Sequence, residues 1–242
     1  MSPYAALTTV VDAVLGMATR RTYRNLDRIP RTGPVIVVSN HVSISDPLVL
    51  VCALRRAGRR ASFLVKADVF TWPVVGTLIR RTGQLPVRRG ADPRATLEPA
   101  LRALANGWVV ALYPEGGITT EPDYRPLPQA RTGAVRLALA ADCPILPVAQ
   151  WGAHKLVTRE HTSSLTRPLR WLGRLRPGRV PRRPRVDLSV GEAITVGELL
   201  AAAGGSADGD PGDLGAATDL VMRRIKVLLT EIAADDLPDL IS

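Results

Sequence analysis

The chain has 242 residues, 46% of them hydrophobic, enough to bury one sizeable α/β core and too many for a disordered chain. Its formal net charge of +10 points to an anionic partner: nucleic acid, an anionic membrane surface or a phosphorylated substrate. Aromatic residues make up only 4%, and no helix-turn-helix, zinc-ligand or RNA-stacking pattern is present, which argues against nucleic acid.

Tyr4 to Met17 is an apolar stretch with Leu7, Val10, Val14 and Met17 on one helical face, followed at once by Arg20, Arg21, Arg24 and Arg28. It is shorter than the roughly 20 residues that span a bilayer. The basic residues follow the apolar run, so it does not read as a secretory signal. Two readings stand side by side: an amphipathic helix lying in a membrane interface, or a helix packed on the domain's own core.

Beyond it, apolar and β-branched runs predict strands over 34–39, 61–66, 84–88, 108–113, 144–150 and 185–191. Helical patterns fall between and after them, over 47–57, 68–81, 93–106, 128–142 and 216–234. This alternation predicts an α/β fold with a mainly parallel sheet flanked by helices on both faces. Sites in such folds lie beyond the carboxyl ends of the strands. Cys52 and Cys143 sit in distant apolar runs and read as buried thiols of a reducing compartment. Residues 201–217 are rich in Gly and Asp and read as a mobile loop.

Between Arg167 and Arg185 eight arginines are interleaved with Leu169, Trp171, Leu172 and Leu175. That mixture suits a segment at a membrane interface, where each basic residue near an anionic surface contributes about 1 kcal/mol.

The string Asn40-His41-Val42-Ser43-Ile44-Ser45-Asp46-Pro47 joins the strand 34–39 to the helix 47–57. Asp46 is the expected N-cap, with Pro47 at the first helical position. In one regular helix His41 and Asp46 would stand about 140° apart. A bend between strand and helix lets the carboxylate reach the imidazole. The carboxylate then fixes the tautomer and leaves the other ring nitrogen as a proton acceptor. Ser43 and Ser45 have no G-x-S-x-G elbow around them, so neither reads as a nucleophile. The three histidines, 41, 154 and 161, show no metal-ligand spacing, and His154 and His161 read as surface or membrane-side residues.

Three more strings follow strands: Gly83-Gln84-Leu85-Pro86-Val87-Arg88-Arg89, Tyr113-Pro114-Glu115-Gly116 and Pro144-Ile145-Leu146-Pro147-Val148. Taken in order with the His41/Asp46 string, they resemble the four blocks of the PlsC-like glycerophosphate and lysophosphatidate acyltransferases. The likeness runs from about residue 25 to about 200, and Trp151-Gly152 and Val190-Gly191-Glu192 also fit it. Two departures stand out. Gly117 occupies a position where relatives commonly carry a hydroxyl residue, and Arg131 stands where a lysine is common.

The resemblance implies a glycerol-3-phosphate acyltransferase-like fold and a catalytic pair, His41 as general base and Asp46 orienting it. It also implies acceptor binding by Arg88, Arg89, Glu115, Gly116 and Arg131, with no cofactor and no metal. Acyl-CoA or acyl carrier protein would be the co-substrate and lysophosphatidic acid the acceptor, on the cytoplasmic face of the cell membrane as a peripheral protein. Membrane lipids are the expected partner and nucleic acid is not. One domain is expected, divided into a membrane-associating helix (1–28), a catalytic core (29–200), the loop (201–217) and a C-terminal helix (218–242). The altered third block leaves another lysophospholipid, a glycolipid or an acylated amino-acid lipid open as acceptor, and a catalytically silent membrane-binding homologue open as a rival.

Overall fold

A computed structural model describes residues 2–88, 93–119, 124, 130–156, 183–205, 211–234 and 236. Among these, seven strands form one sheet: β1 (Arg20–Arg24), β2 (Val35–Ser39), β3 (Ala61–Lys66), β4 (Leu85–Val87), β5 (Val109–Leu112), β6 (Ile145–Trp151) and β7 (Arg185–Val190). Their order is β1-β7-β6-β2-β5-β3-β4. All neighbours are parallel except β6 and β7, which run antiparallel.

The central strands are buried on both faces, which is why they read as unbroken apolar runs. In β2 the side chains alternate. Val35 and Val37 pack against α1 (Pro3–Ala18) and α2 (Asp46–Arg56), through Tyr4, Leu15, Val49, Leu50 and Ala53. Ile36 and Val38 pack on the opposite face against α4 (Pro93–Ala105), α5 (Gly133–Ala141) and two C-terminal helices, α6 (Val196–Ala202) and α7 (Pro211–Ala233). Cys52 belongs to the first layer and Cys143 to the second; both are free and buried, and burial pushes each thiol up to about 11.

The structure departs from the sequence reading in five places. Arg20–Arg24, expected to lie within a membrane-associating helix over 1–28, is an edge strand paired in parallel with β7. Edge strands carry charge because one side meets water, so RRTYR gives no apolar signal. The helix expected over 68–81 divides into a short 3-10 turn, Ala67–Thr71, and α3 (Val75–Arg81). Pro73 holds Trp72 extended, and Val74 turns the chain at φ +62°.

Within the described part of the helix expected over 128–142, regular turns begin at Gly133, because the Arg131 amide is turned back onto the Pro114 carbonyl (2.8 Å). The loop expected over 201–217 is shorter. Residues 201–202 close α6, and α7 starts at Pro211, a residue suited to a first helical position. The C-terminal helix therefore begins before 218 and ends at Ala233.

Asp46 is the fifth departure. It is the first residue of α2, Ser45 holds the cap position without a side-chain cap bond, and the Asp46 carboxylate points back into the preceding loop.

One side of α1 packs on the domain's own core. Tyr4, Thr8 and Leu15 are buried against the core, and the Tyr4 hydroxyl accepts a bond from the Ala61 amide (3.0 Å). Val10, Val14 and Met17 remain exposed on another side of the same helix.

Candidate active site

β2 stops at Ser39, and Asn40 takes over the ladder with its side chain. Its Nδ2 donates to the Gln150 carbonyl (2.9 Å) and its Oδ1 accepts from the Gln150 amide (2.9 Å). The carboxamide thus stands in for a peptide group beside β6, and the main chain is released to turn across the strand ends.

In that turn His41 is held at several points. Its amide donates to Glu115 Oε1 (2.8 Å), and its carbonyl accepts from the Thr119 amide (3.1 Å). Its Nδ1 lies 2.9 Å from Asp46 Oδ2, and its ring stacks on Tyr113, with centroids 4.1 Å apart and planes 19° apart. The same Oδ2 accepts the amides of Val42 and Ser43, each at 2.7 Å. Asp46 is fully buried, whereas the His41 side chain is 15% exposed. Burial pushes the Asp46 carboxyl above the ordinary carboxylate range, while the imidazole and the two amides pull it back. With Nδ1 committed to Asp46, Nε2 is the nitrogen left to take a proton.

The turn after β5 brings up the second wall. Glu115 is buried, and Gly116 adopts φ +67°. A Cβ on Gly116 would run into the Arg131 side chain, so the guanidinium stem lies directly over this glycine. The bond from the Arg131 amide to Pro114 fixes that approach. Glu115, Gly116 and Arg131 are therefore gathered beside His41, at the carboxyl ends of β2 and β5.

Residues 20–151 match the Acyltransferase family profile. The chain belongs to the acyltransferase family. It is 29% identical over 138 residues to the chloroplastic 1-acyl-sn-glycerol-3-phosphate acyltransferase BAT2 of Brassica napus, covering 55% of this chain and 38% of that protein. It is 35% identical over 135 residues to the lyso-ornithine lipid O-acyltransferase of Brucella abortus, covering 52% of this chain and 48% of that protein. The matched region thus spans less than half the length of either relative. The crystal structure of the 1-acyl-sn-glycerophosphate acyltransferase PlsC from Thermotoga maritima has the same fold, with a TM-score of 0.63 at 20% identity over 93% of this chain and 79% of that one.

Of the remaining expected binding residues, Arg88 is exposed just past β4, which lies three strands from β2, about 14 Å at the usual strand spacing. Arg89, His161 and the arginines from Arg167 to Arg182 lie outside the described residues.

Sequence reasoning missed the roles of two members of the neighbourhood. Tyr113 and Gln150 meet the His41 loop from β5 and β6, a meeting that depends on strand order.

His154 was misread. It is buried, not at the surface, stacked on Tyr124 (4.2 Å) and edge-on to Trp151 (4.6 Å). Burial, followed by the Lys155 charge, lowers its pKa to about 4. Asp236 closes this cluster, accepting from Trp151 Nε1 and Lys155 Nζ at 2.7 Å each.

Proposed function

We propose that this acyltransferase moves a fatty acyl group from acyl-CoA or acyl carrier protein to the free hydroxyl of 1-acyl-sn-glycerol 3-phosphate, forming phosphatidic acid. The observation that carries the reading is the His41–Asp46 pair, 2.9 Å apart, buried at the carboxylate end and open at the imidazole end. A thioester is already activated, so the chain needs no nucleophile of its own. His41 Nε2 takes the proton of the acceptor hydroxyl as its oxygen attacks the thioester carbon. Collapse of the tetrahedral intermediate breaks the carbon–sulfur bond, and the proton passes to the departing thiolate. Asp46 orients the imidazole and stabilises the imidazolium.

Arg131 takes the acceptor phosphate through its forked guanidinium, and Arg88 and Arg89 add positive charge. Glu115 acts through the His41 amide it accepts, and with Gly116 shapes the acceptor pocket.

Docking at the cytoplasmic face of a membrane as a peripheral protein is part of the same proposal. No described helix is long and apolar enough to cross a bilayer. β1 starts at the carboxyl end of β6, because it is parallel to β7 and β7 is antiparallel to β6. The carboxyl end of α1, with exposed Val14 and Met17, is thereby on the His41 side of the sheet, where Ile44 and Leu48 are also exposed. Such a rim, on a chain of net charge +10, suits an anionic lipid surface.

A second acceptor has its own support. The third block departs at Gly117, Arg131 replaces the common lysine, and a relative of known name acts on a lyso-ornithine lipid. The test is free-thiol release from acyl-CoA of several chain lengths with a panel of acceptors. Preference for 1-acylglycerol 3-phosphate supports the first reading and preference for a lyso-ornithine lipid the second. Vesicle binding with no thiol release under any acceptor or donor, acyl carrier protein included, refutes both.

A further inference from the structure

The face of the catalytic imidazole rests on a tyrosine, and this tyrosine is itself tethered. Gln150, fully buried on β6, directs Nε2 to the Tyr113 hydroxyl (3.3 Å), the Ser39 hydroxyl (3.2 Å) and the Asn40 carbonyl (3.4 Å). The Gln150 backbone is in turn clamped by the Asn40 carboxamide. Three adjacent strands, β5, β2 and β6, thus contribute to one polar plug beneath His41. Burial, then the Asp46 charge, holds the Tyr113 phenol well above its ordinary pKa, so it stays neutral.

We infer that Tyr113 is a positioning residue for the His41 base, its ring the platform on which the imidazole stacks and its hydroxyl tied to Gln150. The inference rests on His41 being the base. Asp46 fixes one edge of the imidazole but leaves rotation about the Nδ1–Oδ2 line open. The Tyr113 face closes that freedom and keeps Nε2 aimed at the acceptor. When Nε2 takes the proton, the imidazolium sits over an electron-rich ring, which favours the charged form. Tyr113 touches neither acceptor nor donor in this role, so its effect belongs to turnover rather than substrate binding.

The test compares Tyr113→Phe, Tyr113→Leu and His41→Ala by thiol release, with kcat and both KM values resolved, and by thermal melting. Tyr113→Phe keeps the stack and loses one hydrogen bond, so kcat falls about 3- to 5-fold. Tyr113→Leu keeps apolar cover and loses the platform. Its kcat falls by up to about 10²-fold, with both KM values within about twofold of the parent.

A folded Tyr113→Leu protein with parental kcat, or with a change confined to KM, overturns the inference. So does a loss of activity that only follows the folded fraction. Activity in His41→Ala instead overturns the reading of the site as a whole.

Discussion

Asp46→Asn isolates the charge from the geometry. The side chain keeps its shape, and Asn Oδ1 can still accept the Val42 and Ser43 amides that now meet Oδ2 at 2.7 Å. What disappears is the negative charge beside the imidazolium. With Nδ1 and Oδ2 at 2.9 Å, the charge centres are roughly 4 Å apart, and at an effective dielectric of about 20 their attraction is about 4 kcal/mol. At 1.36 kcal/mol per decade that is a loss of about 10³-fold in kcat.

The protein itself should lose only about 1–2 kcal/mol, since an Asn Oδ1 placed where Oδ2 now lies keeps all three hydrogen bonds and loses only their charge assistance. The assay is thiol release under saturating donor and acceptor, with a melting curve on the same sample. A folded Asp46→Asn protein retaining more than a tenth of parental kcat would refute the view that a buried carboxylate drives this base.

Three further outcomes are expected. Arg131→Ala should raise KM for a phosphorylated acceptor about tenfold or more and leave that for an acceptor without phosphate unchanged; an equal rise for both removes Arg131 from the phosphate. Gly116→Ala should lower stability by about 1–2 kcal/mol in denaturant titrations and weaken acceptor binding, since the residue sits at φ +67° against Arg131; parental stability would contradict the strain. His154, with a native pKa of about 4 against 6.5 unfolded, binds protons more readily in the unfolded chain. Its contribution is therefore complete above pH 6.5 and is lost progressively as pH falls toward 4, by roughly 1–2 kcal/mol after solvent screening. His154→Gln should flatten that part of the stability–pH curve, and an unchanged curve would disprove the assignment.

The sequence disclosed what local chemistry dictates. β2 and β5 were legible because both faces are buried, and the His41–Asp46 contact because a strand end and a Pro-started helix fix the turn between them. β1 was not, since an edge strand may be charged without cost. The break between the 3-10 turn and α3 was written in Trp72-Pro73 but masked by apolar residues on either side. The short start of α5 could not be read, because it depends on the Arg131 amide finding Pro114, seventeen positions earlier in the chain. The Tyr113–Gln150 tether was hidden for the same reason: its partners meet through the order of strands, which periodicity does not report. His154 followed a Trp-Gly pair that gave no hint of the aromatic cluster around it.

The two sequestered cysteines make the protein convenient to interrogate. With both sulfhydryls locked in opposite layers and pushed to about 11, the folded enzyme should contribute almost no background to a chromogenic reagent that reports liberated CoA. It also follows that a cysteine introduced at Ile44, on the outer bend of the loop carrying His41, would be the one site a maleimide dye reaches. The environment of that dye would then report directly whether the loop meets lipid.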